Sequence, residues 1–241
     1  MNLLDQCIND TRNYIDIKQK AVPSQIFNAD RSLTWPQSER SGLVLMPDLA
    51  VELGSPEVAS VSFQTWTPDA SMVNDETITV IGPDISKTNE RTLPFGKIII
   101  AEVEGFNENN AADRTREMFL SKFDISLNGF MLKSASNYMA EWCRISKDAV
   151  NSNFSFQVLG SSLINELKKL DYVKSAEVIF ITSSNEDVNE LFEIGNRSVR
   201  IVNAMSKMVN EMNYDCGDCE FQDICEGADE LREIRDNLAY E

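Results

Sequence analysis

Residues 96–105 read GKIIIAEVEG, a run of β-branched side chains closed at each end by glycine, and this composition predicts a strand. Three further stretches share its character: LVLM at 43–46, VASVSFQTWT at 58–67 and TITVIG at 77–82, each set off by Gly, Pro or Asp. Together they predict the sheet of a first lobe. Over 109–130 the period changes, with Met118, Phe119, Phe123, Leu127 and Phe130 at helical spacing, which predicts a connecting helix. A second lobe follows: a strand over AEWCRI, a capped turn at SKDAV, a helix over SSLINELKKL and a strand over SAEVIFITS. A long helix then starts at Ser184, where Asp187 stands three residues on as a variant capping box. Its apolar face runs from Val188 and Leu191 to Val209.

The fold class expected is therefore α/β (α+β), two mixed-sheet lobes joined by a helix and followed by a cysteine loop and a short C-terminal helix. The expected divisions are an N-terminal helix with an irregular lead-in at 1–34, a strand-rich lobe at 35–108, a second lobe with the long helix at 109–213, and the cysteine segment at 214–241. Leu3, Leu4, Cys7, Ile8 and Tyr14 carry the first helix, and Pro23 to Arg40 read as irregular. Leu231, Ile234 and Leu238 share a face of the last helix, which is expected to pack back on its own domain.

With 241 residues and 42% hydrophobic content, the chain can bury a full core without disulfide or metal staples. Its formal net charge of -17 argues against nucleic-acid backbones and anionic membranes as partners. No apolar run is long enough to span a bilayer and no signal-peptide pattern opens the chain, so a cytoplasmic location is expected.

Chemistry concentrates in YDCGDCEFQDICEG, residues 214–227, which holds three of the five cysteines in a chain with no histidine. Cys216, Cys219 and Cys225 form C-x2-C-x5-C, and the two-residue gap lets a tight turn at Gly217 present two sulfurs to one metal centre. Thiolates without histidine suit a [4Fe-4S] cluster; zinc and unligated thiols are the alternatives. Cys143 is the candidate fourth ligand, with a packed core thiol as the other reading. Asp84, Glu52 and Glu57 sit in turn-forming sequences and are expected to serve caps and solvent. Trp35, Trp66 and Trp142 are expected in the core. No phosphate-binding glycine loop and no serine or cysteine hydrolase arrangement is visible.

In sequence and order, LVLMPDLAVELGSPEVASVSF, ITVIGPDI, LPFGKIIIAEVEG, WCRISKDAV and YDCGDC resemble the middle part of the acetyl-CoA synthase β subunit, which is also the decarbonylase/synthase β subunit of methanogens. The resemblance spans roughly Trp35 to Cys225. It implies that Cys216 and Cys219 match the family's first cysteine pair, which holds the [4Fe-4S] half of a nickel-iron-sulfur cluster, with Cys225 as third ligand after a shorter gap. The family's fourth cubane cysteine and its Cys-Gly-Cys nickel chelate would lie beyond Glu241, so nickel is not expected here. The arginine-rich CoA surface of the family is not evident either: Arg91, Arg114, Arg116 and Arg144 are scattered.

The expectation is an acetyl-CoA synthase β-like iron-sulfur protein of one-carbon metabolism, serving as an accessory, electron-transfer or docking module. A corrinoid, CO dehydrogenase-type or ferredoxin-like protein is the partner class implied. Two alternatives stand beside it: an enzyme using an open iron site of a three-cysteine cluster, and a structural interaction domain. No catalytic residue is assigned.

Overall fold

The structure, a computed structural model, describes residues 2–30, 32, 35–37, 49–136, 139–210 and 219–238. Helix α1, Asp5–Ala21, buries Cys7, Ile8, Thr11 and Ile15 on one stripe and carries Lys18 and Lys20 in its last turn, where cations suit the helix dipole. Pro23 follows, a residue that cannot continue the helix. The chain then enters β1, Ser24–Asn28, so the segment read as irregular contains an edge strand. Its register against β4, Thr77–Ile81, is antiparallel from Ser24 opposite Ile81 to Asn28 opposite Thr77; a five-residue strand with alternating exposure leaves little apolar signal in sequence.

The remaining strands are β2 (Ala50–Leu53), β3 (Ser60–Thr67), β5 (Thr92–Leu93), β6 (Phe95–Val103), β7 (Phe130–Ser136), β8 (Ala140–Ser146) and β9 (Val173–Ile181). They form two mixed sheets, as the composition of the strands and helices led one to expect. The larger has order β1-β4-β9-β6-β3 and the smaller β5-β2-β8-β7. The allotment of strands differs from the expected one. β9 lies between β4 and β6, parallel to the first and antiparallel to the second, so strands from 35–108 do not make a sheet of their own. Likewise β2 pairs with β8. Both neighbours of β9 offer β-branched partners in register, and burial on both faces rewards that central position.

Helices α2 (Ala111–Leu120), α3 (Lys147–Asn151), α4 (Phe156–Leu167), α5 (Asn185–Glu190), α6 (Phe192–Asn210), α7 (Gln222–Gly227) and α8 (Asp229–Leu238) complete the chain. The connecting helix stops at Leu120, and Phe130 opens β7 instead of ending a helix. The long helix is broken at Leu191, whose amide donates to the Val188 carbonyl in a tighter i to i-3 bond at 3.2 Å. Ser184 caps α5 by accepting from the Asp187 amide, as its spacing predicted. The LVLM strand lies outside the described residues.

One face of the large sheet packs on α4 through Phe95, Phe156 and Phe180. The Phe156 and Phe180 rings stand 4.5 Å apart and Phe95 stacks 6.1 Å from Phe180. Gly160 of α4 allows this close approach, since a Cβ there would sit 2.9 Å from Ile78 on β4. The opposite face packs Ile98, Ile100, Ile179 and Ile181 against Ile8 and Ile15 of α1. Phe180→Ala removes the central ring from a site with no solvent exposure, and a loss of about 3–5 kcal/mol is expected. Urea unfolding followed by circular dichroism would measure it.

Candidate functional site

The cysteine segment is built outward from α6. Arg200 on that helix sends both terminal nitrogens to the Asp223 carboxylate, at 2.8 Å and 2.6 Å, and a further bond of 2.9 Å to the Glu220 carbonyl. The guanidinium holds the Asp223 carboxyl below the usual carboxylate range. This fork clips the turn between Cys219 and Cys225 onto α6. The Gln222 amide donates to the Cys219 carbonyl and the Cys225 amide to the Phe221 carbonyl, so the chain coils directly into α7. Sequence reading missed Arg200, because an arginine on an amphipathic helix has no spacing signal that names a carboxylate twenty-three residues later.

Cys219 and Cys225 line one small cavity of about 30 Å³, walled by Ala204, Met208 and Phe221 and flanked by Lys207 and Arg235. Cys225 is buried and Cys219 half-buried. Cys216 lies outside the described residues. Helix α8 contributes Arg235 to the cavity lining; its Leu231 is wholly buried in the main core and the Asn2 amide donates to its Glu230 carboxylate at 2.9 Å. The terminal helix thus packs on its own domain.

Among the described residues no group of three or more Cys, Asp or Glu stands ready to hold a metal ion. The two described thiols nevertheless fit an iron-sulfur group in donor chemistry: both are soft sulfur ligands on one apolar wall, with cations beside them to offset a negative thiolate-bound centre. Cys143 stands elsewhere, on the inward face of β8, in register with Leu132 and Leu53. It lines a separate cavity with Phe95, Leu159 and Glu141. Burial pushes its thiol far up, the behaviour of a packed core cysteine. The Cys7 thiol is likewise raised, to about 11, by burial.

Beside Cys143 lies an ion cluster that the sequence did not announce. Glu141 on β8 accepts from Lys97 of β6 at 2.6 Å and from Lys122, just past α2, at 2.5 Å. The Ser62 hydroxyl of β3 donates to the same carboxylate at 3.0 Å. All three charged side chains are buried. Gly54, with φ +64°, lets the end of β2 approach the Glu141 carbonyl where a Cβ would collide. Burial pushes the Glu141 carboxyl up, but the ammoniums of Lys97 and Lys122 outweigh it and hold it at about 2. Lys122 is lowered to about 8: burial dominates, the Glu141 charge offsets part of it, and Lys97 adds repulsion. Both values fall, for different reasons: two ammoniums stabilise the one carboxylate, whereas burial disfavours the Lys122 charge more than Glu141 restores it.

The other carboxylates behave structurally. Asp84 accepts from the amides of Ile85 and Phe156 at 2.7 Å and 3.0 Å. Glu52 accepts from Arg144 Nε at 2.8 Å and from Trp142 Nε1 at 3.0 Å, and Glu57 is exposed. Trp66 is fully buried and donates to Thr115 Oγ1. Trp142 is only partly buried, with the Lys133 ammonium 3.5 Å from its ring centroid.

The sequence model described as CO dehydrogenase/acetyl-CoA synthase complex beta subunit matches residues 42–188. The chain belongs to that family. The match takes in β2 to β9 with the Lys97, Lys122 and Glu141 cluster, and it stops short of Cys216. The chain is 28% identical over 169 residues to the acetyl-CoA decarbonylase/synthase complex subunit beta of Methanopyrus kandleri, covering 68% of this chain and 34% of that protein. It is 23% identical over 174 residues to subunit beta 1 of Methanosarcina thermophila, with 68% and 34% covered. For subunit beta 1 of Methanosarcina mazei the figures are 24% over 183 residues, with 70% and 36% covered. The chain spans about a third of the length of these curated relatives. No described helix is long and apolar enough to cross a membrane.

The ion cluster sets the pH dependence of stability. Below about pH 4.5 the unfolded chain protonates residue 141 while the fold keeps it charged down to about pH 2, so stability falls as pH drops through that window. Between about pH 8 and 10.5 the unfolded chain binds a proton at Lys122 that the folded chain has shed, so this residue makes stability rise with pH there. Glu141→Gln strands two buried ammoniums and is expected to cost about 3–5 kcal/mol at pH 7. Lys122→Met is expected to remove the alkaline rise. Urea midpoints measured from pH 3 to 10.5 on the three proteins check both.

Proposed function

We propose that this chain is an iron-sulfur module of CO and acetyl-CoA metabolism, holding a [4Fe-4S] cluster at Cys216, Cys219 and Cys225 and serving in electron transfer or docking within a multi-subunit assembly. The observation that carries the reading is the shared cavity of Cys219 and Cys225, in a chain whose scaffold belongs to the beta-subunit family. When bound, such a cluster supplies one-electron redox chemistry. The chain's own residues do the rest: Cys219 and Cys225 supply sulfur ligands, Arg200 holds their turn on α6, and Phe221 and Met208 keep water from the wall. Lys207 and Arg235 place positive charge on the same wall, which favours an anionic thiolate-bound group. Complex membership of the relatives, given in their names, supports a subunit partner for this chain as well.

Separation of Cys143 from the cysteine cavity favours a site completed without it. Metal and acid-labile sulfide analysis on anaerobically reconstituted protein, with paramagnetic resonance of the reduced state, tests the proposal. About four irons and four sulfides are expected in the wild type, lost in Cys219→Ser and retained in Cys143→Ala. Stoichiometric zinc, or no metal after reconstitution, would overturn the cluster; loss in a folded Cys143→Ala protein would return that residue to the ligand set.

A further inference from the structure

Between α2 and α6, on a different part of α6 from the cysteine cavity, the surface opens into a second cavity of about 170 Å³. Its apolar wall is Phe119, Val199 and Val202, and its polar wall includes Gln64, Asn203 and Arg116. The volume is close to that of a cavity that takes a benzene-sized guest. At its inner end, Gln64 and Phe119 also line a much smaller cavity of about 10 Å³, shared with Lys97, Lys122 and Glu141. Lys122 Nζ stands 3.5 Å from the Phe119 ring centroid on that side.

Two charges of one sign and one of the other are therefore buried behind one aromatic wall. With both lysines charged the excess is one positive charge in a low-dielectric interior, where its reach is much longer than in water. At the outer rim Asp113 and Arg116 carry opposite charges, and neither side chain makes a hydrogen bond or ion pair with another described residue. A chain that is strongly acidic overall thus holds a local cluster of the opposite polarity behind the Gln64 and Phe119 wall of a groove with room for an organic body.

We propose that this groove binds a small organic anion of the carboxylate class, its apolar body against Phe119, Val199 and Val202 and its negative end drawn toward the Lys97 and Lys122 pair. A neutral molecule of the same shape gains the apolar contact but not the charge. The site is independent of the cysteine cavity, and its occupancy does not require a cluster.

Isothermal calorimetry on the full chain with sodium benzoate, and with benzyl alcohol as a neutral probe of similar size, tests the proposal. Benzoate is expected to bind saturably and at least ten-fold more tightly than benzyl alcohol. Asn203→Trp, at an exposed position of the wall, fills the groove and should abolish binding of both. Lys122→Met should weaken benzoate about ten-fold and leave benzyl alcohol unchanged, with thermal unfolding confirming that both variants are folded. Absence of saturable benzoate binding, equal affinity for the neutral probe, binding that survives Asn203→Trp, or unchanged benzoate affinity in folded Lys122→Met would each overturn it.

Discussion

A single carboxylate, Glu141, ties together the parts of this molecule that lie far apart in sequence. Its backbone belongs to the smaller sheet, its oxygens reach Lys97 on the larger sheet and Lys122 beyond α2, and its amide donates to Ser60 Oγ on β3. The two sheets and the α2 corner therefore meet at one buried ionic point. Such a cluster is costly to desolvate and is weak evidence of net stability, but it permits few alternative registers. A slip of one residue along β8 would turn Glu141 outward and bring Trp142 in, leaving both ammoniums without a partner.

That constraint also explains why the strands interleave. β9 lies in the middle of the large sheet with apolar side chains on both faces, Phe180 toward α4 and Ile179 and Ile181 toward α1. β6 is its antiparallel neighbour and carries Lys97 on the Phe95 and Ile99 side. Once β6 and β9 pair, Lys97 is directed at the smaller sheet, where Glu141 is the described carboxylate that meets it. The family match covers this whole arrangement, whereas the cysteine turn and α8 are attached to it through α6 and the Arg200 fork.

Charge works at two scales in this protein. The overall acidity makes a basic polyanion-binding surface implausible, yet the interior beside Phe119 has an excess of positive charge and the wall around Cys219 and Cys225 carries Lys207 and Arg235. Net charge averages over the solvated surface. Site polarity depends on which few groups are buried together, and low dielectric magnifies those few.

The fold class was legible in the chain because periodicity and punctuation are local: GKIIIAEVEG and SAEVIFITS read as strands from their own composition and are strands in the fold, and Ser184 caps the helix its spacing announced. Of the C-x2-C-x5-C stretch that the sequence singled out, Cys219 and Cys225 line one cavity. Strand order, the Glu141 cluster, the edge strand at Ser24–Asn28 and the Arg200 clip were not legible. Each depends on residues 19 or more positions apart meeting in space, and a lysine in an apolar strand reads the same whether it faces solvent or a buried carboxylate. Local sequence pattern decided the elements and marked the thiol motif; burial, which removes water and makes charges costly unless they meet, decided the topology, the separation of Cys143 from the cysteine cavity and the placement of Lys97, Lys122 and Glu141 behind Phe119.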